Sequence, residues 1–202
     1  MCHKLDQSFF ANLSAMDYED VCRRSLAGYD ADRKTYKITA LEREYEINAA
    51  RCEIIPLSRD EKPVSVELGL LLLFYLMQGK DIPLKGKWVG ENDLTGGAMF
   101  FRGPHAIRND EVAKEFGRNI EGFRKACRDL GGEPVDFGDA AFRFKVLPRI
   151  PALVVLWRAD DEFKATAKLL MDETVEQHLP LDVIFGMALE LLGRIVGRTL
   201  WH

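Results

Sequence analysis

The sequence predicts a single-domain α+β fold, a mainly antiparallel sheet covered by helices, on three observations. Apolar and polar residues alternate at Tyr36, Ile38 and Ala40, again at Tyr45, Ile47 and Ala49, and again at Phe142, Phe144 and Val146, which is the two-residue period of strands. Elsewhere apolar residues recur at three- and four-residue steps, as at Val112, Phe116, Ile120, Phe123, Cys127 and Leu130, which is the period of a helix. Finally, 202 residues with 47% hydrophobic side chains suit one domain, 1–202, with a substantial core.

In chain order, residues 6–27 read as a helix with a loose apolar stripe of Phe9, Phe10, Leu13 and Val21, stopped near Gly28. The alternating runs at 36–40 and 45–49, with "LERE" between them, read as a hairpin, and a short strand at 52–55 ends at Pro56. Ser65 is placed to cap a helix through "VELGLLLLFYLMQ" that stops at Gly79, apolar nearly all round and so central to the core. From 79 to 105 periodicity fades, and six glycines and two prolines mark a long connection. Asn109 is a good cap for one helix reaching Leu130, ended by Gly131-Gly132. "AAFRFKVL" reads as an edge or half-exposed strand, "ALVVLW" as a buried one, and 163–171 as a short helix or helical turns. The last helix starts at Pro180, packs Ile184, Phe185, Ala188, Leu191, Leu192, Ile195 and Val196 into the core, and sets Arg194 and Arg198 at the negative end of its dipole.

Charge narrows the function classes. A formal charge of -4 argues against a general nucleic-acid binder, whose basic face releases counterions from phosphates. The apolar run "LGLLLLFYLM" is about half the length that crosses a bilayer. No signal-peptide core stands at the start, so the expected location is the cytoplasm, with no membrane partner. Cys2, Cys22, Cys52 and Cys127 form no paired clamp and are expected as reduced, mostly buried thiols.

The first candidate site is the stretch "GGAMFFRGPHAIRND". Gly96 and Gly97 let the backbone turn sharply or approach a ligand. No lysine follows them, so this is neither a P-loop nor a dinucleotide fingerprint. If extended, the segment would send Phe100 and Phe101 to opposite sides. Arg102 offers a fork of donors for carboxylate or phosphate, and the His105 imidazole can serve as an acid–base group or ligate metal. The plainer alternative is a tight turn with one buried phenylalanine before a capped helix.

The second candidate is "WRADDEF" with "LLMDETVEQH". Asp161, Glu162, Asp172 and His178, with Asp160 and Glu173 nearby, are ligand types for iron, manganese or zinc. The spacing does not match a known ligand set, and a solvated turn with a helix cap accounts for the same residues. Trp157 is a candidate pocket wall, with core or edge packing as the alternative. No GxSxG elbow is present, and Cys127 falls on an apolar stripe.

The order "LTGGAMFFRGPH", "EFGRNIEGFRKACRDLGG" and "FKVLPRIPALVVLWRADDEFKATAKLLMDETVEQHLPLDVI" resembles an uncharacterised prokaryotic family, numbered 3786 among the domains of unknown function, over nearly the whole chain. The resemblance implies an anaerobic setting in bacteria or archaea. It also implies a corrinoid or iron–sulfur protein as a partner, and it carries no catalytic residue. The clustered cysteines of an appended iron–sulfur domain are not in this sequence.

The expected function is therefore a cytosolic binding or accessory protein that handles a cofactor or redox partner. Its site would be loop 96–105, with Gly96, Gly97, Phe101, Arg102 and His105, and Trp157 beside it. The rivals are an enzyme on a small anionic substrate with His105 or His178 as acid–base group, and a structural protein-interaction module. No motif names a cofactor.

Overall fold

The computed structural model describes residues 5–58 and 63–200. It has an α+β fold with two antiparallel sheets, one of four strands and one of five. The expectation of a mainly antiparallel arrangement holds, but the strands divide into two sheets.

The predicted N-terminal helix is two helices, α1 (Gln7–Ser14) and α2 (Tyr18–Ser25). Asp17 causes the break: its backbone is extended and its carboxylate accepts from the Glu19 N–H, which caps α2. The stop is Leu26 in a left-handed conformation, and Gly28 opens β1 (Gly28–Asp30) instead. Then β2 (Thr35–Ala40), β3 (Arg43–Asn48) and β4 (Glu53–Pro56) complete the first sheet in the order β1-β2-β3-β4. Leu41 and Glu42, with φ of 50° and 60°, make the two-residue turn of the β2–β3 hairpin. Tyr36, Ile38, Tyr45 and Ile47 face the core.

Ser65 caps α3 (Val66–Gln78) by accepting from the Leu68 N–H at 3.1 Å, as its sequence suggests. Seven of the helix's 13 residues are buried, so it runs through the core. The connection after it holds β5 (Trp88–Val89) and α4 (Gly97–Phe100).

The predicted helix from Asn109 to Leu130 is also two, α5 (Asn109–Phe116) and α6 (Ile120–Asp129). At the break the Gly117 carbonyl accepts from Ala159 N–H at 3.1 Å. Asn119 caps α6 through the Gly122 N–H at 2.9 Å. Asn109 is the first helical residue rather than the cap, and its side-chain oxygen accepts from the Leu169 N–H at 2.9 Å. One apolar stripe spans both helices, because Val112, Phe116, Phe123 and Cys127 bury into the same core.

The second sheet adds β6 (Glu133–Val135), β7 (Ala140–Leu147), β8 (Ile150–Trp157) and β9 (Thr166–Asp172) in the order β5-β9-β8-β7-β6. So β7 is an interior strand, not an edge. The predicted helix at 163–171 is instead β9. Leu169 and Met171 are buried one residue apart in period two, and the pairing with β8 from Met171 opposite Ala152 to Thr166 opposite Trp157 overrides local helix preference. A short helix α7 (Val175–His178) leads into α8 (Leu181–Val196), with Pro180 as its cap residue. The α8 helix packs against α3, α5 and α6 and buries ten residues, which places it in the core as expected. Of the cysteines described, Cys127 is buried while Cys22 and Cys52 are only half-buried; Cys2 lies outside the described residues.

Candidate functional site

The loop 96–105 is not extended. Gly96 is left-handed at φ 76°, the short helix α4 follows, and a second tight turn covers Gly103–His105. Side chains fix the loop from outside. Glu176 of α7 accepts from the Thr95 N–H at 2.8 Å and from the Thr95 hydroxyl at 3.1 Å. A Cβ on Gly97 would collide with the Glu91 carbonyl oxygen, so the close approach expected of these glycines is to the protein's own backbone.

Because α4 is helical, Phe100 and Phe101 do not point apart. Their rings meet edge to face with centroids 5.0 Å apart. Phe101 is buried at 6% exposure and anchors the turn. Phe100 stacks on the His105 imidazole at 4.7 Å, and His105 meets the Phe185 edge at 5.5 Å. The imidazole is thus held on a fixed apolar wall while the residue as a whole stays exposed. Arg102 is exposed and makes no side-chain hydrogen bond or ion pair within the described residues. Met99 stands out from the same turn at 82% exposure.

Trp157 does not join this loop. It ends β8 opposite Thr166, where its ring lies 6.2 Å from Phe137 on the sheet face away from the main core. The glycine loop follows β5, which pairs with the Asp172 end of β9. The Trp157 turn lies at the Thr166 end, about 20 Å away along the strand.

The same strand separates the four carboxylate and imidazole candidates. Asp161 and Glu162 are exposed in the turn after β8, where Asp160 accepts from the Glu162 and Phe163 N–H groups. Asp172 and His178 are buried at the opposite end. Asp172 accepts from the N–H of Lys85, Gly86 and Thr174 and from the Thr174 hydroxyl. Burial pushes this carboxyl up, but those bonds, led by Thr174, outweigh it and hold it below the usual range. His178 accepts from the Lys80 N–H through Nδ1 at 3.1 Å. Burial, and then the Arg149 and Lys80 charges, lower its pKa, so it is neutral. Asp161, Glu162, Asp172 and His178 therefore do not form one ligand set. Among the described residues no three His, Cys, Asp or Glu side chains gather as metal ligands would. Asp172 and His178 instead pin the two ends of segment 80–86 to the core.

Two further clusters escaped the sequence reading. At the end of α8, Arg194 binds Glu190 at 2.9 Å and donates to the Tyr45 hydroxyl at 3.2 Å, while Ser65 donates to Glu190 at 3.2 Å. These residues line a cleft of about 440 Å³, and Arg194 Nη1 is buried there with no partner among the described residues. The i,i+4 spacing of Glu190 and Arg194 was the available signal. The second cluster lies on the outer face of the four-stranded sheet, where Thr35 and Glu46 are buried. Their alternation with Tyr36, Tyr45 and Ile47 assigned them to a solvated face, so sequence alone gave no sign of it.

The family model for the domain of unknown function DUF3786 matches residues 17–193. The chain belongs to that family. The match takes in both sheets, the glycine loop and nearly all of α8. No curated protein and no solved structure matches the chain. Among the described residues no helix is long and apolar enough to cross a membrane.

Proposed function

We propose that this DUF3786 chain is a binding or accessory protein that docks an anionic cofactor or redox partner on loop 96–105. The carrying observation is Arg102, exposed and unpaired among the described residues, on a turn that Phe101 and Glu176 hold fixed. An arginine kept without an internal partner, on a rigid mount, offers its full fork of donors to a carboxylate or phosphate at little ordering cost. Met99 adds exposed apolar surface beside it. The resemblance implies the setting, an anaerobic prokaryote, and the partner class, a corrinoid or iron–sulfur protein, and the cytoplasm is the location the sequence leads us to propose.

The test is an anaerobic binding titration against a ferredoxin-type iron–sulfur protein and against a corrinoid protein. Arg102→Ala is expected to weaken one of these about tenfold or more, and Arg102→Lys less. Unchanged affinity for both overturns the proposal. A second reading, an enzyme on a small anion, draws on His105, whose N–H donates to the Arg102 carbonyl at 3.0 Å and so stands beside it. On that reading His105→Ala abolishes turnover while binding persists.

A further inference from the structure

The four-stranded sheet carries a pocket on its outer face that loop 96–105 does not touch. Its walls come from two turns at the same end of the sheet, the one joining β1 to β2 and the one joining β3 to β4. Each turn is fixed the same way. Asp30 accepts from the Arg33 N–H at 3.1 Å, and Asn48 accepts from the Arg51 N–H at 3.0 Å. These bonds fix the backbone at both arginines, and both arginines line the pocket. The pocket encloses about 320 Å³, the low end for small-molecule sites. Ile55 is the one apolar residue in a lining of Asp32, Arg33, Thr35, Glu46, Asn48, Arg51 and Glu53.

Two groups in it are unsatisfied. Glu46 is 5% exposed although it sits on the outward side of the strand. Its Oε1 takes the Arg33 guanidinium at 2.9 Å, while its Oε2 is buried with no partner among the described residues. Thr35 is 2% exposed and its hydroxyl is also without a partner among the described residues. Leaving a carboxylate oxygen and a hydroxyl unpaired away from water is costly, and native structures rarely do so twice in one cavity without an occupant. Arg51 supplies the opposite chemistry: exposed, it makes no ion pair within the described residues. The pocket thus offers a carboxylate and a hydroxyl at its floor and a guanidinium at its rim.

We infer that this pocket binds a free α-amino acid, with the ammonium on Glu46 and Thr35 and the carboxylate on Arg51. A ligand bearing one charge leaves half of this arrangement unused. A dipeptide holds its two charges a further residue apart and so presents them to the floor and the rim at a different spacing. The site is independent of Arg102.

The test is a titration of the ¹⁵N-labelled protein with each of the common α-amino acids, read at the amides of Thr35, Glu46, Asn48 and Arg51. Ethylamine, propionate and alanylalanine serve as single-charge and separated-charge probes. At least one amino acid is expected to give saturable shifts at these amides, with the three control probes weaker by about tenfold or more. Arg51→Ala, an exposed change that leaves the fold intact, and Glu46→Gln are each expected to lose a similar factor. Absence of saturable shifts with every amino acid overturns the inference and leaves ordered water as the occupant. Ethylamine binding as tightly as the best amino acid, or Arg51→Ala binding unchanged, overturns it as well.

Discussion

His178 Nδ1 accepts a hydrogen bond from the backbone N–H of Lys80 at 3.1 Å, across 98 positions of sequence. The imidazole is 1% exposed and lies beside Tyr75, whose hydroxyl donates to the Ser25 carbonyl and accepts from the Arg149 N–H. A protonated ring would lose its acceptor nitrogen and bring a charge into this packed junction of α2, α3 and α7. The residue that sequence offers as a metal ligand or proton carrier is therefore the anchor of a connecting segment.

This gives a pH dependence with a definite sign. The folded pKa of His178 lies below its ordinary 6.5, through burial first and then the Arg149 and Lys80 charges. Between the two values the unfolded chain holds the extra proton, so stability is full above 6.5 and falls as pH drops from there toward the folded value. Urea unfolding at about pH 7.5 and about pH 5.5 is expected to show this loss, with a smaller one in His178→Gln. Equal losses in the two proteins would remove His178 as the cause.

Asp172 holds the other end of the same segment. Replacing it with Ala leaves the N–H groups of Lys85, Gly86 and Thr174 without their acceptor. The expected cost is about 1–3 kcal/mol for unmade bonds to a charged group. Hydrogen exchange should localise it, with faster exchange at Lys85 and Gly86 and unchanged rates in α8. Uniform acceleration across the protein would mean that Asp172 supports the whole core instead.

The sequence was most legible where one local rule met one burial pattern. Ser65 before an apolar run capped α3, and alternation set the β2–β3 hairpin to within a residue or two. Segment 163–171 was misread because its partner, β8, lies across an intervening turn, and helical spacing within "FKATAKLLM" outweighed an unseen pairing. The break at 117–119 was hidden because two helices buried against one core keep a common stripe. For the site, Arg102 is exposed on the loop singled out in the sequence, but that loop is helical at Gly97–Phe100 where an extended segment was considered. The grouping of Asp161, Glu162, Asp172 and His178 does not, since a strand in place of a helix puts its two ends about 20 Å apart.

Two asparagines test the corrected helix boundaries. Asn119→Ala removes the α6 cap, an expected loss of about 1 kcal/mol, and Asn119→Asp should restore most of it. Asn109→Ala removes no cap. It leaves the Leu169 N–H of β9 unpaired, so Asn109→Asp is expected to keep that bond and Asn109→Ser, with its shorter side chain, to lose it. Thermal melts of the set decide it. If Asn109→Ser matches Asn109→Asp, Asn109 acts as a helix cap after all.

The adjacent glycines of the candidate loop differ in what they tolerate. Gly96 is left-handed, and a Cβ there would lie 3.7 Å from Leu181, an ordinary contact. Gly96→Ala should therefore cost only its backbone strain, about 1 kcal/mol. Gly97 has no positive φ to explain it, but its Cβ would strike the Glu91 carbonyl oxygen and crowd the Leu94 Cβ at 3.2 Å. Backbone cannot rotate aside as a side chain would, so Gly97→Ala must shift α4, at about 1–3 kcal/mol. That shift would displace Phe101 from its buried seat and swing Arg102. Melting temperature should fall further for Gly97→Ala than for Gly96→Ala, and ligand affinity at Arg102 should fall with it. The reverse order would show that the left-handed turn, not the close approach to Glu91, is what the glycine pair provides.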